Sequence, residues 1–309
     1  MKNQLYTQLL EKDKKKKFIY LIGFLLVLVV IVVTLFAFGS NMSDIFSFHR
    51  NEKDDSVTQN KPAKNEPNAI STISIIVADV GLNHSILEEL GNLPKEVGFA
   101  ISPYSDQVTK IVANSKAAGR DTFICIPMQP YNYHYNDPGP YALLDNLSDA
   151  ENQNRLKMIL SLASGVTGMH FDHMEVFTTS AENLDAILPT IEESKLPIVY
   201  YDPDGAKRLI GDINKGHMHI NTLKIDIILD NELEGQAIRN SFDKLIKRTK
   251  LYGDAVGIIR PYPISIDILK EYLLKFSDSH VEIISPSDAL VRQGKIDRAE
   301  TAAETTKNK

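Results

Sequence analysis

From about residue 72 to residue 290 the chain alternates short apolar runs with longer stretches whose apolar residues recur three and four positions apart. Runs rich in Val, Ile and Phe predict strands over 73–79, 96–101, 122–127, 166–171, 197–202, 223–229, 255–260 and 281–284. The first, Ile-Ser-Ile-Ile-Val-Ala, is almost wholly apolar, as suits a strand buried on both faces. Helical periodicity predicts helices over 84–91, 105–118, 148–163, 180–194, 203–212, 233–252 and 264–276. Two of them carry start signals. Ser148-Asp149-Ala150-Glu151 is a capping box, and Ser180 opens a polar turn before an apolar run. Strands alternating with helices imply a parallel sheet. The expected fold class is therefore α/β, and the number of units in one stretch favours a (β/α) barrel. An open doubly wound sheet is the alternative, but no Gly-x-Gly-x-x-Gly loop follows the first strand.

Outside this region the pattern changes twice. Residues 18–38 carry no charge and are rich in Leu, Val and Ile, enough helix to cross a bilayer core of roughly 30 Å. Lys12 and Lys14 to Lys17 precede the run, so the positive-inside rule leaves residues 1–17 in the cytoplasm and sends the rest across. A cleaved signal peptide is the rival, but its apolar core would be shorter and followed by a small-residue cleavage site. The expectation is a single-pass anchor in the inner (cytoplasmic) membrane. Residues 39–71 are polar and read as a flexible linker, 72–290 as the folded domain, and 291–309 as a disordered tail.

Composition adds little. Across 309 residues the net charge is −6, which gives no reason to expect nucleic acid. The one cysteine, Cys125, lies inside an apolar strand and reads as a small core residue. Chemistry is expected instead at the carboxyl ends of the strands, where barrels place their sites. Collected there are Asp79, Met128 and Gln129, then His170, Asp172, His173 and Glu175, then Asp202, Asp230, Arg260 and Tyr262. Asp and His at one level on several strands suit Zn²⁺ or a similar divalent ion. Partly buried histidines bonded to the backbone would explain His170 and His173 equally well.

Several of these residues stand in stretches that resemble the divergent polysaccharide deacetylases of bacterial envelopes. Val77-Ala78-Asp79-Val80-Gly81 is similar to that family's Ile-Asp-Asp-Leu-Gly, and residues 97–104 to its "T-L-A-F-L-P-Y". Residues 126–130 resemble "L-P-M-E-P", Leu229-Asp230-Asn231 "F-L-D-N", and Arg260-Pro261-Tyr262-Pro263 "G-H-P-Y-P". Asp137-Pro138-Gly139-Pro140 and Leu143-Leu144 continue the match, in order along the chain. The resemblance implies a (β/α) barrel, usually of seven strands, that removes acetyl groups from amino sugars with a divalent metal. It also implies a general base from the first motif, metal ligands from its second Asp and from histidines, and a late histidine as acid. Asp79, His173 and Asp202 are the ligands so implied. Met128, Gln129, Asp230, Arg260 and Tyr262 would contact substrate.

The chain departs from the pattern where protons would move. Ala78 stands at the base position, and its methyl group accepts no proton. Arg260 stands at the acid position, and a guanidinium is a poor proton donor. The family's "N-N-H-M-G-S" is replaced by residues 170–175, so that His173-Met174 aligns only after a one-residue slip. Each loss forfeits about 10²–10⁴ in rate. The first expectation is a membrane-anchored envelope protein that has lost ordinary catalysis, binds a glycan or a protein partner, and holds its metal weakly or not at all. Arg260 would then pair with Asp79 or bind an anionic ligand. The alternative is a working metal-dependent deacetylase in which His170, Asp172 or Glu175 has taken over. A third possibility is a barrel that serves only as an assembly surface. The resemblance puts the domain in the periplasm of a Gram-negative cell.

Overall fold

The computed structural model describes residues 71–172, 177, 181–201, 220–278 and 280–294. The predicted membrane segment 18–38, residues 39–70 of the predicted linker, the helix 203–212 and residues 295–309 of the predicted tail lie outside the described residues, as do His173, Glu175 and Asp202. Residues 60–309 form one compact unit by their own contacts. Among the described residues no helix is long and apolar enough to cross a membrane.

The strands are β1 (Ser71–Val80), β2 (Gly98–Ile101), β3 (Thr122–Pro127), β4 (Gly168–Asp172), β5 (Ile198–Tyr201), β6 (Thr222–Ile225), β7 (Ile227–Ile228), β8 (Asp254–Ile259) and β9 (Val281–Ile283). The helices between them are α1 (Leu87–Gly91, after a 3₁₀ turn at His84–Ile86), α2 (Val108–Ala117), α3 (Asp149–Leu162), α4 (Ala181–Ser194), α5 (Gly235–Tyr252) and α6 (Pro263–Asp278). Local signals set several ends. Ser148 Oγ accepts from Glu151 N–H at 3.3 Å, the predicted cap of α3. Gly253, at φ +90°, ends α5 in the left-handed conformation.

Every strand pair is parallel, in the order β6-β5-β4-β3-β2-β1-β8-β7. The two ends of that path, β6 and β7, are separated in the chain by Asp226 alone, so the sheet curls back on itself as a (β/α) near-barrel. Asp226 makes the break: its Oδ2 accepts from Val256 N–H at 2.8 Å, and its Oδ1 pairs with Arg248 of α5 at 2.7 Å. β9 lies off the path, pairing with Ser71–Ile73 at the start of β1.

Side chains alternate between two buried clusters, as a closed sheet requires. Ile73, Ile75 and Val77 point outward and pack under the helices with Phe242, Leu245 and Ile268. Ile76 and Ala78 point inward with Ala100, Phe123, Cys125, Val199, Ile225 and Ile258. Ala289 joins the inner cluster from the helix over 286–294, which seals the amino-terminal end of the strands. That helix carries regular structure past the predicted domain limit at 290, because Ala289 and Leu290 have the barrel interior to bury against. Cys125 is buried, as expected of a core residue.

Candidate functional site

The carboxyl ends of the strands gather the predicted residues, and β1 shapes its own end by a bulge. Val77 pairs with Phe99 and Val80 with Ile101, so two residues of β1, Ala78 and Asp79, face the single Ala100 of β2. Val77 and Val80 both pack in the outer cluster, which shows that the alternation loses one step between them. Asp79 absorbs that step at φ +52°, a backbone conformation costing a non-glycine residue roughly 1–2 kcal/mol. Gly81 follows at φ +101°, where a Cβ would lie 2.4 Å from Ser105 Oγ. The sequence places Asp79 at the strand end; the bulge that turns it has no signature in the apolar pattern.

Ala78 is 6 % exposed and packs with the apolar inner cluster. Ala78 follows Val77 and Arg260 follows Ile259, and Val77 and Ile259 are the last pair of the β1–β8 ladder. The base and acid positions implied by the resemblance thus both fall where that ladder ends, and neither holds a group suited to proton transfer.

Arg260 has its carboxylate partner, Asp230, in the turn that follows β7. Its Nε lies 3.3 Å from Asp230 Oδ1, its main-chain N–H donates to Oδ2 at 2.9 Å, and its Nη2 donates to the Asp230 carbonyl at 2.5 Å. Ser265 Oγ, at the start of α6, donates to the same Oδ2 at 3.0 Å. Asp230 has no exposed surface, so this network satisfies a carboxylate that would otherwise be costly to bury. Arg260 remains 36 % exposed, with its Cζ 5.6 Å from the ring centre of the part-exposed Tyr262. Of the predicted substrate contacts, Arg260 and Tyr262 therefore reach solvent together, whereas Asp230 stands behind them and fixes the guanidinium.

The remaining candidates divide. Met128 is fully buried in the outer cluster and offers a ligand no surface. Gln129 is nearly buried: its N–H donates to Leu143 O at 3.0 Å, and its Oε1 accepts from Asp145 N–H at 3.1 Å. Both residues hold the loop after β3 rather than face the mouth. His170 lies inside the barrel, 4 % exposed, with Nδ1 3.6 Å from Cys125 Sγ. It is thus a strand residue of the interior, paired in register with Cys125, and not a loop histidine. Asp172 ends β4 opposite Pro127. Of the implied metal ligands only Asp79 is described, and among the described residues no three His, Cys, Asp or Glu gather to hold a metal ion.

A cleft of about 530 Å³ lies outside the sheet between α1 and α2, lined by Leu87, Glu88, Lys110, Asn114 and Arg120. Arg120 spends its guanidinium on the scaffold. It donates to the carbonyls of Leu93, Pro94 and Val97 at 2.7–2.9 Å and covers the Phe99 ring at 4.2 Å. Its burial lowers its pKa below the usual value for arginine. The mouth, where residues from β1, β7 and β8 converge, is the better candidate.

The chain is similar to several known proteins. An uncharacterized protein from Haemophilus influenzae (strain Rd) is 26 % identical over 202 residues, covering 65 % of this chain and 71 % of that one. The crystal structure of an uncharacterized protein from Agrobacterium tumefaciens C58 superposes with a TM-score of 0.66 at 21 % identity, covering 74 % of this chain and 93 % of that one. A CE4 family pseudoenzyme from Bacillus anthracis gives a TM-score of 0.44 at 11 % identity, over 73 % and 66 % of the two chains. The sequence model of the divergent polysaccharide deacetylases matches residues 75–290, from β1 to the sealing helix. Because that match spans most of the chain and nearly all of the near-barrel, the protein belongs to the divergent polysaccharide deacetylase family.

Proposed function

We propose that this is a membrane-anchored envelope protein whose deacetylase-like domain binds a glycan at the carboxyl ends of the strands without performing the usual deacetylation. The observation that carries the reading is the pair Ala78 and Arg260. The first is a methyl group packed into an apolar interior, and the second is a guanidinium tied to a buried carboxylate. A general base and a general acid each supply about 10²–10⁴ in rate, and neither is present at these positions. Arg260 beside the Tyr262 ring keeps a polar and an aromatic surface open to a sugar. The anchor rests on the uncharged run 18–38 behind its lysines, with the domain on the periplasmic side.

Two measurements on the full-length chain test this. Acetate release from oligomers of N-acetylglucosamine, with Zn²⁺ or another divalent cation supplied, should stay at background while oligomer binding is detected. Robust release that is lost on Asp79→Ala or His173→Ala would establish the alternative, an active enzyme with relocated acid and base. Protease added outside the inner membrane should remove the domain and spare the first residues; a shielded domain would reverse the topology.

A further inference from the structure

The chain leaving β3 carries four tyrosines between residues 131 and 141, and two of them bury very little. Tyr131 is 71 % exposed and Tyr135 95 % exposed. Tyrosine rings grouped on one exposed turn at the site-bearing end of a barrel mark a surface that meets a partner. The base of this loop is stiff. Met128 and Leu143 form a parallel bridge, Tyr104 stacks on Tyr141 at 5.2 Å, and Tyr104 Oη donates to Pro138 O at 2.7 Å. Gly139, at φ +93°, lets the loop cross the Tyr104 ring, which a Cβ would approach to 2.6 Å. Hydrogen bonds from Tyr133 N–H to Pro130 O and from Tyr135 N–H to Asn132 O, at 3.2 and 2.8 Å, hold the tip as a turn. Rings presented from a pre-ordered turn lose little entropy when they bind.

The surrounding residues select the partner. No Lys or Arg occurs from Gln129 to Leu147, and Asp137 and Asp145 outnumber the one histidine, His134, so the loop offers no permanent cation to a phosphate on a lipid or a nucleic acid. Asn132, between the two exposed tyrosines in sequence, and Asn136, just after the second, are exposed and supply neutral amide donors and acceptors. Flat apolar faces interleaved with amides match an uncharged sugar, whose C–H face stacks and whose hydroxyls hydrogen-bond. We infer that Tyr131 and Tyr135 form an outer stacking subsite for an uncharged glycan strand, on the β3 side of the Arg260 mouth. This deepens the glycan-binding reading above and rests on it.

The chain has twelve tyrosines, so binding is read by titration calorimetry, a signal that does not depend on the rings being replaced. Full-length protein is titrated with a disaccharide and with a long oligomer of β-1,4-linked N-acetylglucosamine, and with phosphatidylglycerol vesicles. The double change Tyr131→Ala with Tyr135→Ala should weaken long-oligomer binding about tenfold, the loss expected of an interface anchor. It should leave disaccharide binding and the melting temperature unchanged, and the Tyr→Phe pair should retain affinity. Unaltered long-oligomer binding in the alanine pair, alongside weakening by Arg260→Gln, would overturn the subsite and leave the glycan reading standing. Wild-type protein that binds neither sugar would overturn both. Vesicle binding abolished by the alanine pair would assign the tyrosines to a membrane surface and so refute the subsite.

Discussion

Asp230→Ala is the most informative single change, because the carboxylate it removes is wholly buried and serves two elements. Its loss strands Ser265 Oγ, which has no exposed surface, together with the Arg260 main-chain N–H and Nε. Breaking a buried pair by deleting one partner costs about 3–5 kcal/mol. The Arg260 side chain keeps 36 % of its exposure, so water can recover part of its solvation and the expected loss falls to about 2–4 kcal/mol. In a domain of this size each kcal/mol moves the melting temperature by about 2–4 °C. Urea unfolding of the 60–309 unit, followed by tyrosine emission and far-ultraviolet dichroism, should show that loss at an unchanged slope. Arg260→Ala leaves Asp230 buried with only an N–H and a hydroxyl, so it should also destabilise. A double-mutant cycle should return a coupling of about 1–3 kcal/mol. A loss below about 1 kcal/mol for Asp230→Ala, or strictly additive single losses, would refute the clamp.

Three other changes test other parts of the fold. Ser74 is buried with its hydroxyl unpaired, so Ser74→Ala should be neutral or stabilising by about 1 kcal/mol in urea unfolding, and a clear destabilisation would reveal an unseen partner. Tyr272 is held well above the usual tyrosine pKa by burial first and by its hydrogen bond to Asp243 Oδ1, at 2.8 Å, second. Because the folded pKa is the higher one, the associated stability is present below about pH 10 and is lost as pH rises from there towards the folded value, at about 1.4 kcal/mol per pH unit. Tyr272→Phe should therefore cost about 1 kcal/mol at pH 8, with the gap to wild type closing by pH 11; a constant gap would contradict the shift. Truncation after residue 253 removes β8 and β9, both partners of β1, and should abolish cooperative unfolding; a stable truncated fragment would mean that β1 does not need them.

The order of elements was legible in the sequence because each strand and helix carries its own local pattern. The strand 122–127 appears with unchanged limits, and the cap at Ser148 forms as its capping box predicts. The strand-end set Asp79, Asp230 and Arg260 was also legible, since an apolar run that stops on a charge marks its own end. Contacts between elements were not. The bulge at Ala78-Asp79 depends on how β1 meets β2, and no periodicity within one strand reports the register of its neighbour. The split at Asp226 depends on Arg248 and Val256, which come from elements formed later in the chain. Met128 and Tyr262 looked alike as strand-end candidates, yet one is sealed in the outer core and the other stands open, because facing is decided by what packs on top. Asp230 and Arg260 lie 30 residues apart in sequence and become one clamp only when β7 and β8 are laid side by side. A sequence carries propensities residue by residue, whereas the partner of a buried charge is set by strands that meet only in the closed sheet.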